Sequence, residues 1–282
     1  MEDLHTMKKQ YQKTALEIFF IKEDVVRCSS EKNDKAVMLR YEEEDGLAGI
    51  KGWISVPQEL EIPSASEKKD LPVYAILNAA FFKCKKIVDL KIPWGMDSID
   101  PLAFANCMNL ERVTVGFNKT PMGKVGLSKN FDSNVRKIES KILGDGMTNI
   151  RNSAFSSCIK LKEVFLKDGV VMIGDRAFSY CDSLEKVDFS GDLFMIGKDA
   201  FYGTKVKEIV WPMHLMIVGE NAFPSCLEKI YYYGTEQEWK KNQIATTNKA
   251  IQNAKKYFYR SQEPKEKGKY WHYIENKAVI WE

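Results

Sequence analysis

Five of the six cysteines in this 282-residue chain stand in one short phrase, Ala-Phe-x-x-Cys, at Cys84, Cys107, Cys158, Cys181 and Cys226. Thiols held in a fixed phase could bind zinc or close disulfides. Zinc requires four ligands converging tetrahedrally, usually as close Cys-x-x-Cys pairs. These thiols fall one per repeat along a line, and His5, His214 and His272 do not share their phase. Disulfides compete more strongly, because neighbouring repeats bring equivalent atoms close. Stacked equivalent side chains point in parallel, however, which does not suit the crossed geometry of a disulfide. A small buried hydrophobe is the role left to the cysteine. A sixth copy of the phrase, Ala200 to Thr204, has threonine in the thiol's place, so the column tolerates a non-thiol.

Other chemistry is thin. Gly116 to Gly123-Lys124 has the outline of a phosphate loop, but the Walker pattern needs four residues between its glycines and Ser or Thr after the lysine. Here six residues intervene and Val125 follows. Asn118-Lys119-Thr120 is a single glycosylation sequon. No histidine stands with a nucleophile and an acid in a catalytic context, and Glu43-Glu44 reads as part of a solvated turn. No hydrolase, metalloprotease or cofactor-binding pattern appears. The expectation is a non-enzyme without catalytic residues, metal or cofactor.

What positions the phrase is its period. The alanines at 80 and 103, and those at 154, 177, 200 and 222, step by 22 or 23 residues. A fixed period in this range marks a solenoid, in which each unit buries its apolar side against its neighbours. In the unit 171–189, Ile173, Ala177, Phe178, Cys181 and Leu184 recur at three- and four-residue gaps, which predicts a short helical turn with one buried face. Gly174 suits a tight bend, and Leu184 to Phe189 ends in the alternation of a strand. Equivalent strands are predicted at Ile87–Ile92, Leu110–Val115, Leu161–Leu166 and Val206–Trp211. A degenerate copy at Asn130–Asn134, with Ile138–Leu143 as its strand and Gly116–Ser128 as a loop insertion, fills the 51-residue gap before Ala154. That makes about seven rungs, the third one weak.

Balanced charge, 42 basic against 39 acidic residues for a net +3, does not indicate nucleic-acid or membrane-surface binding. No apolar run approaches the ~20 residues of a membrane helix. Near the start, Glu17 interrupts the apolar stretch and Lys22-Glu23-Asp24 closes it, so it is not read as a signal peptide. The chain as written reads as cytoplasmic; removal of a leader would make it extracellular or a cell-surface protein.

The unit resembles the BspA-like leucine-rich repeat, through Ile173-Gly174, Ala177-Phe178, Cys181, Leu184 and Val187, and through Ile92-Pro93 in the first strand. Gly49 to Pro57 with Leu71-Pro72-Val73 is similar to that family's opening segment, and Tyr270 to Trp281 to the closing segment of some members. The resemblance implies an α/β repeat fold: a right-handed leucine-rich-repeat solenoid with a parallel β-sheet on one face, capped at both ends. It also implies surface, adhesion or host-interaction roles for many members.

Residues 1–49 are expected to form an N-terminal helix (1–27) and a capping strand (Ala36–Tyr41), and 50–233 the solenoid. Residues 234–282 are expected to form a C-terminal cap. Its elements would be helices at Glu236–Lys241 and Lys249–Lys256 and strands at Tyr257–Arg260, Tyr270–Ile274 and Ala278–Trp281. The last two strands form a hairpin, and Ser261–Lys269 forms a loop.

Alternation turns a ladder of side chains outward from the strand face: Asp89 and Lys91, Arg112 and Thr114, Lys137 and Glu139, Glu163 and Phe165, then Lys186, Asp188, Glu208, Val210, Lys229, Tyr231 and Tyr233. Aromatics beside charges favour protein interfaces. Arg112, Glu163, Phe165, Lys186, Asp188, Glu208, Val210, Lys229, Tyr231 and Tyr233 are therefore the candidate partner-binding face. Burial of the same aromatics under the C-terminal cap is the competing expectation. The partner expected is a protein, such as a host or matrix protein, taken by a monomer. The alternatives are a glycan stacked on C-terminal aromatics such as Trp271, and a role as an accessory subunit of an enzyme. Neither nucleic acid nor membrane insertion is expected.

Overall fold

The computed structural model describes residues 38–44, 47–63, 73–117, 147–240, 244, 247–266, 268–275 and 277–281. The helix expected at 1–27, the degenerate copy at 130–143 with Lys137 and Glu139, the sequon, the Gly123-Lys124 segment, Cys28 and His5 lie outside these residues.

The chain winds as a parallel-sheet solenoid of about seven turns with little helix. Among the described residues the strands fall into three sheets. The first has eight strands: β1 (Met38–Glu44), β2 (Leu47–Ser55), β4 (Val73–Ile76), β6 (Ser98–Ile99), β8 (Thr148–Ile150), β10 (Val170–Ile173), β12 (Met195–Ile196) and β14 (Ile217–Val218). β1 and β2 pair as an antiparallel hairpin, and the others are parallel. The second sheet orders β3 (Glu59–Glu61), β5 (Asp89–Pro93), β7 (Arg112–Phe117), β9 (Glu163–Leu166) and β11 (Lys186–Asp188) side by side. The third holds β13 (Glu208–Val210), β15 (Lys229–Tyr232), β16 (Lys255–Tyr259), β17 (Tyr270–Ile274) and β18 (Lys277–Ile280).

The strands predicted from alternation at 87–92, 110–115, 161–166, 184–189 and 206–211 are β5, β7, β9, β11 and β13. The short helical turn is not formed; two other structures take its place. Ile173 belongs to β10 of the first sheet, in register with Ile150 and Ile196 as one buried column. The Ala-Phe-x-x-Cys segment is a run of β-turns. Ala177 N–H donates to Gly174, Ser179 to Arg176 and Cys181 to Phe178, each three residues back. The residues between them donate to the next rung: Arg176 to Lys198, Phe178 to Ala200 and Tyr180 to Tyr202, each at 2.8 Å. Every amide therefore has a partner, half of them within the turn and half between rungs. Three-residue bonds place apolar side chains at the same spacing as a short helix, which is why the sequence alone does not separate the two.

Alternating the two kinds of bond requires left-handed backbone just before the alanine and just before the cysteine. Arg176 and Tyr180 have φ of 55° and 56°, and Ser153 and Ser157 have 58° and 60°. The Ile-Gly column has a different cause. An added Cβ at Gly197 would sit 2.6 Å from the Asp175 nitrogen, and at Gly219 it would strike Lys198 of the preceding rung. Glycine is there for close approach, rather than for the tight bend expected at Gly174.

Inside, the phenylalanines form one stack. Phe81, Phe104, Phe155, Phe178, Phe201 and Phe223 lie ring over ring at 4.7–5.6 Å, close to the spacing of adjacent strands. Phe104 stacks directly on Phe155, and β7 pairs directly with β9. The rungs on either side of residues 118–146 are thus immediate neighbours in the ladder. Two short helices, α1 (Glu236–Trp239) and α2 (Lys249–Asn253), lead into the C-terminal strands, and Ile251 and Ala254 seal the last turn. β16 begins at Lys255, so the second helix is shorter than expected.

Candidate interaction face

The cysteine column can be judged first. Cys84, Cys107, Cys158, Cys181 and Cys226 are free thiols, the first four fully buried. Cys107 Sγ donates to the Phe81 carbonyl, Cys158 to Phe104 and Cys181 to Phe155, all at 3.2 Å. Each thiol thus links its turn to the rung before it. Thr204 instead donates to Phe201 in its own rung, at 2.9 Å. Burial pushes the Cys84 and Cys158 thiols up, and Cys107 is raised by its contact with Cys158 and then by burial. These thiols resist becoming the thiolates that nucleophiles and metal ligands need. Among the described residues no group of three or more His, Cys, Asp or Glu is placed to hold a metal ion. His214 Nδ1 meets the Gly191 carbonyl at 2.9 Å, and His272 stacks on Trp281 at 3.7 Å.

The strand-lined side carries an ordered charge row. Arg112 Nη1 reaches Asp89 at 3.1 Å and its Nε reaches Glu163 at 3.0 Å, although Arg112 and Glu163 are 51 residues apart in sequence. Lys186 approaches the other oxygen of Glu163 at 3.9 Å. Lys167 pairs with Asp188 at 3.3 Å, and the half-buried Phe165 ring lies under the ammonium groups of Lys186 and Lys167 at 4.9 and 5.5 Å. Register makes this possible: Arg112, Glu163 and Lys186 are direct cross-strand partners on β7, β9 and β11. Exposed pairs like these contribute about 0–1 kcal/mol each to stability. Their consequence is a fixed pattern of charge.

Further along, Glu208 accepts from Lys229 at 3.5 Å and from the Tyr231 hydroxyl at 3.2 Å. Alternation turns Tyr231 outward, with burial under the C-terminal cap as the competing expectation; the structure buries it. β16 and β17 extend the sheet beyond β15 and set Tyr257 and Trp271 against it, each at 5.6 Å, with Val210 packed at the side. Burial and then the neighbouring Glu208 carboxylate push the Tyr231 hydroxyl up. Trp271 is fully buried, its Nε1 donating to the Tyr232 carbonyl at 3.0 Å, which removes it as a stacking platform for a sugar.

Around Trp271 stand Tyr233 at 5.1 Å, Tyr259 at 5.3 Å and Tyr273 at 5.0 Å, all edge-on. Tyr233 and Tyr273 remain 37% and 40% exposed. Tyr233 was legible from the alternation that runs on one residue past the end of β15. Tyr259 and Tyr273 were not, because nothing in the sequence says that β16 and β17 join the same sheet. The face brings together Arg112, Glu163, Phe165, Lys186 and Asp188 on the second sheet and Glu208, Val210 and Lys229 on the third, with Tyr233 just past the end of β15; Tyr231 is withdrawn from it by burial.

Comparison with known proteins agrees with this architecture. Residues 66–130 and 127–231 match the BspA type leucine rich repeat region in six copies. No curated protein matches the sequence. Among solved structures, a leucine rich cell surface protein from Faecalibacterium prausnitzii is 24% identical, with a TM-score of 0.43, over 69% of this chain and 52% of that one. The T. pallidum leucine rich repeat protein is 21% identical, with a TM-score of 0.43, over 68% of each chain. The pneumococcal vaccine antigen PcpA is 14% identical, with a TM-score of 0.38, over 80% of this chain and 51% of that one. The chain thus spans about half the length of the F. prausnitzii protein. With its repeats matched across more than half of its length, this chain belongs to the BspA-type leucine-rich-repeat family.

Proposed function

We propose that the chain is a non-catalytic recognition module that takes a protein partner on its strand-lined side, with Tyr233 and Tyr273 as the central contacts. The observation that carries this reading is a pair of exposed tyrosines braced on a fully buried tryptophan. Tyrosines held this way lose little rotamer freedom on binding and bring both apolar area and a hydroxyl, the qualities of interface hot spots. The charge row from Asp89 to Lys186 lies on the same side and would set orientation more than affinity. Partner-facing, extracellular or adhesive roles fit such a face. A glycan reading is weakened, since Trp271 cannot reach a sugar.

Site-specific photocross-linking tests the face. A benzoylphenylalanine at position 273 is expected to give a discrete protein adduct, while one at the exposed Tyr202, on the turn side, gives none. Adducts from 202 and none from 273 would place recognition elsewhere.

A further inference from the structure

One register position carries a charge on every strand from β3 to β16. Glu59, Asp89, Arg112, Glu163 and Lys186 are successive cross-strand partners on β3, β5, β7, β9 and β11. Glu208, Lys229 and Lys255 continue the row on β13, β15 and β16. The two sheets follow one another without a missing rung, since Lys205 N–H donates to the Leu184 carbonyl at 2.8 Å. In order the signs are acid, acid, base, acid, base, acid, base, base. Read from the other end, every sign is inverted.

Within the chain the interior of this row is satisfied by its own neighbours, as Arg112 is by Asp89 and Glu163. The ends are not. Glu59 beside Asp89, and Lys229 beside Lys255, set like charges directly opposite each other, which destabilises a sheet. Glu59 and Lys255 are exposed and enter no ion pair among the described residues; Lys255 lies instead over the Tyr257 ring at 4.9 Å. The chain alone gains nothing from these end pairs, whereas a surface that reads the whole row does.

Inversion of sign on reversal is what a two-fold axis requires of a self-complementary surface. An axis parallel to the strands, between β9 and β11, turns a second copy face down with its row reversed and its strands still aligned. Glu163 then faces the partner's Lys186, Arg112 the partner's Glu208, Asp89 the partner's Lys229 and Glu59 the partner's Lys255. The positions one residue earlier agree: Glu111 faces the partner's Lys207, and Lys162 the partner's Glu185.

We propose that a second copy of this chain docks on the charge row, forming a two-fold, face-to-face dimer. Eight strands about 4.8 Å apart, each contributing about 13 Å of length, cover about 400–450 Å² per copy, the size of a weak, reversible contact. The charges fix orientation and partner choice more than affinity. This pairing goes beyond the tyrosine reading and does not depend on it, because Tyr273 on β17 lies outside the paired strands and stays open to another protein.

Sedimentation of the full chain at high concentration tests it. A monomer–dimer equilibrium is expected at about 20 mM salt, shifting to monomer at about 500 mM, where exposed charges are screened. Lys255→Glu and Glu59→Lys should each weaken association at least fivefold, since each sets two like pairs facing across the axis. Mixed in equal amounts, the two variants should associate as tightly as wild type, because each changed residue then meets the other. Both side chains are exposed and outside ion pairs, so the substitutions leave the fold intact. Tyr273→Ser should leave the dimer unchanged. A monomer at low salt, association indifferent to salt or to the single variants, or no recovery on mixing overturns the proposal. So does a dimer lost on Tyr273→Ser, which would place the contact on the tyrosines.

Discussion

The side chain of Asn248 completes the backbone of Ala222. Its Oδ1 accepts the Ala222 N–H at 3.0 Å, and its Nδ2 donates to the Gly219 carbonyl at 2.8 Å. In four earlier turns the alanine N–H closes directly onto the residue three before it, as Ala80 does onto Leu77, Ala103 onto Asp100, Ala154 onto Arg151 and Ala177 onto Gly174. In the last turn that bond is opened and the asparagine amide is inserted into it. Asn248 is buried, so this is how the final rung is closed without a following one.

Removing that amide leaves a buried donor and a part-buried acceptor unpaired, at about 1–3 kcal/mol each. Asn248→Ala is therefore expected to destabilise by about 2–5 kcal/mol, read as a lower urea midpoint. Asn248→Asp keeps the acceptor for Ala222 and loses the donor to Gly219, and should fall between. Wild-type stability in Asn248→Ala would remove the capping role.

Ser157 sits at φ 60° with no side-chain hydrogen bond among those described, in a conformation that costs a non-glycine residue about 1–2 kcal/mol. Ser157→Gly relieves this while loosening the unfolded chain, for a net gain of about 0.5–1 kcal/mol. A higher melting temperature checks it; a lower one would show that the serine makes contacts that outweigh the strain.

Gly197→Ala meets the Asp175 carboxylate and, equally close, the Asp175 nitrogen and the Gly174 carbonyl carbon of the preceding rung, backbone that cannot turn away. The two rungs must separate, and a loss of about 1–3 kcal/mol is expected, in the range for overpacking a well-packed site. Circular dichroism melts of Gly197→Ala beside Gly191→Ala, where an added Cβ meets nothing within 4 Å, make the comparison.

The buried thiols give a pH dependence whose sign follows from their direction. Cys84, Cys107 and Cys158 hold their protons in the folded chain to higher pH than in the unfolded chain. Above about pH 8.5 the unfolded chain binds fewer protons, so stability falls as pH rises, with no such loss below. Each thiol contributes a slope of about 1.4 kcal/mol per pH unit. Urea midpoints at pH 7, 9 and 10 should decline, and Cys158→Ala should make the decline shallower. A flat profile, or one that rises, would contradict the burial of these groups.

Much of the architecture was readable because the Ala-Phe-x-x-Cys phrase repeats in phase and because Val187 alternates with Lys186 and Asp188, while Glu163 and Glu208 mark the same outward position beside Val164 and Ile209. The second strand face was not, since Val170–Ile173 is only four residues long and its spacing to Ala177 and Phe178 imitates a helical turn. Arg112, Glu163 and Lys186 could be placed together because each follows its repeat's leucine at one fixed offset. Tyr231 could not be assigned to core or surface, because its burial depends on Tyr257 and Trp271, which arrive from strands outside the repeat. Asn248 carries no local signal: its role exists only where the last turn meets the cap.

The central claim is recognition through the braced tyrosines, and the most direct measurement is partner affinity for the Tyr233→Ser/Tyr273→Ser variant against wild type, with urea midpoints measured alongside. Loss of two hot-spot side chains should weaken binding by about 30-fold or more while the Trp271-centred cap still unfolds cooperatively near the wild-type midpoint. Unchanged affinity with unchanged stability would contradict the account.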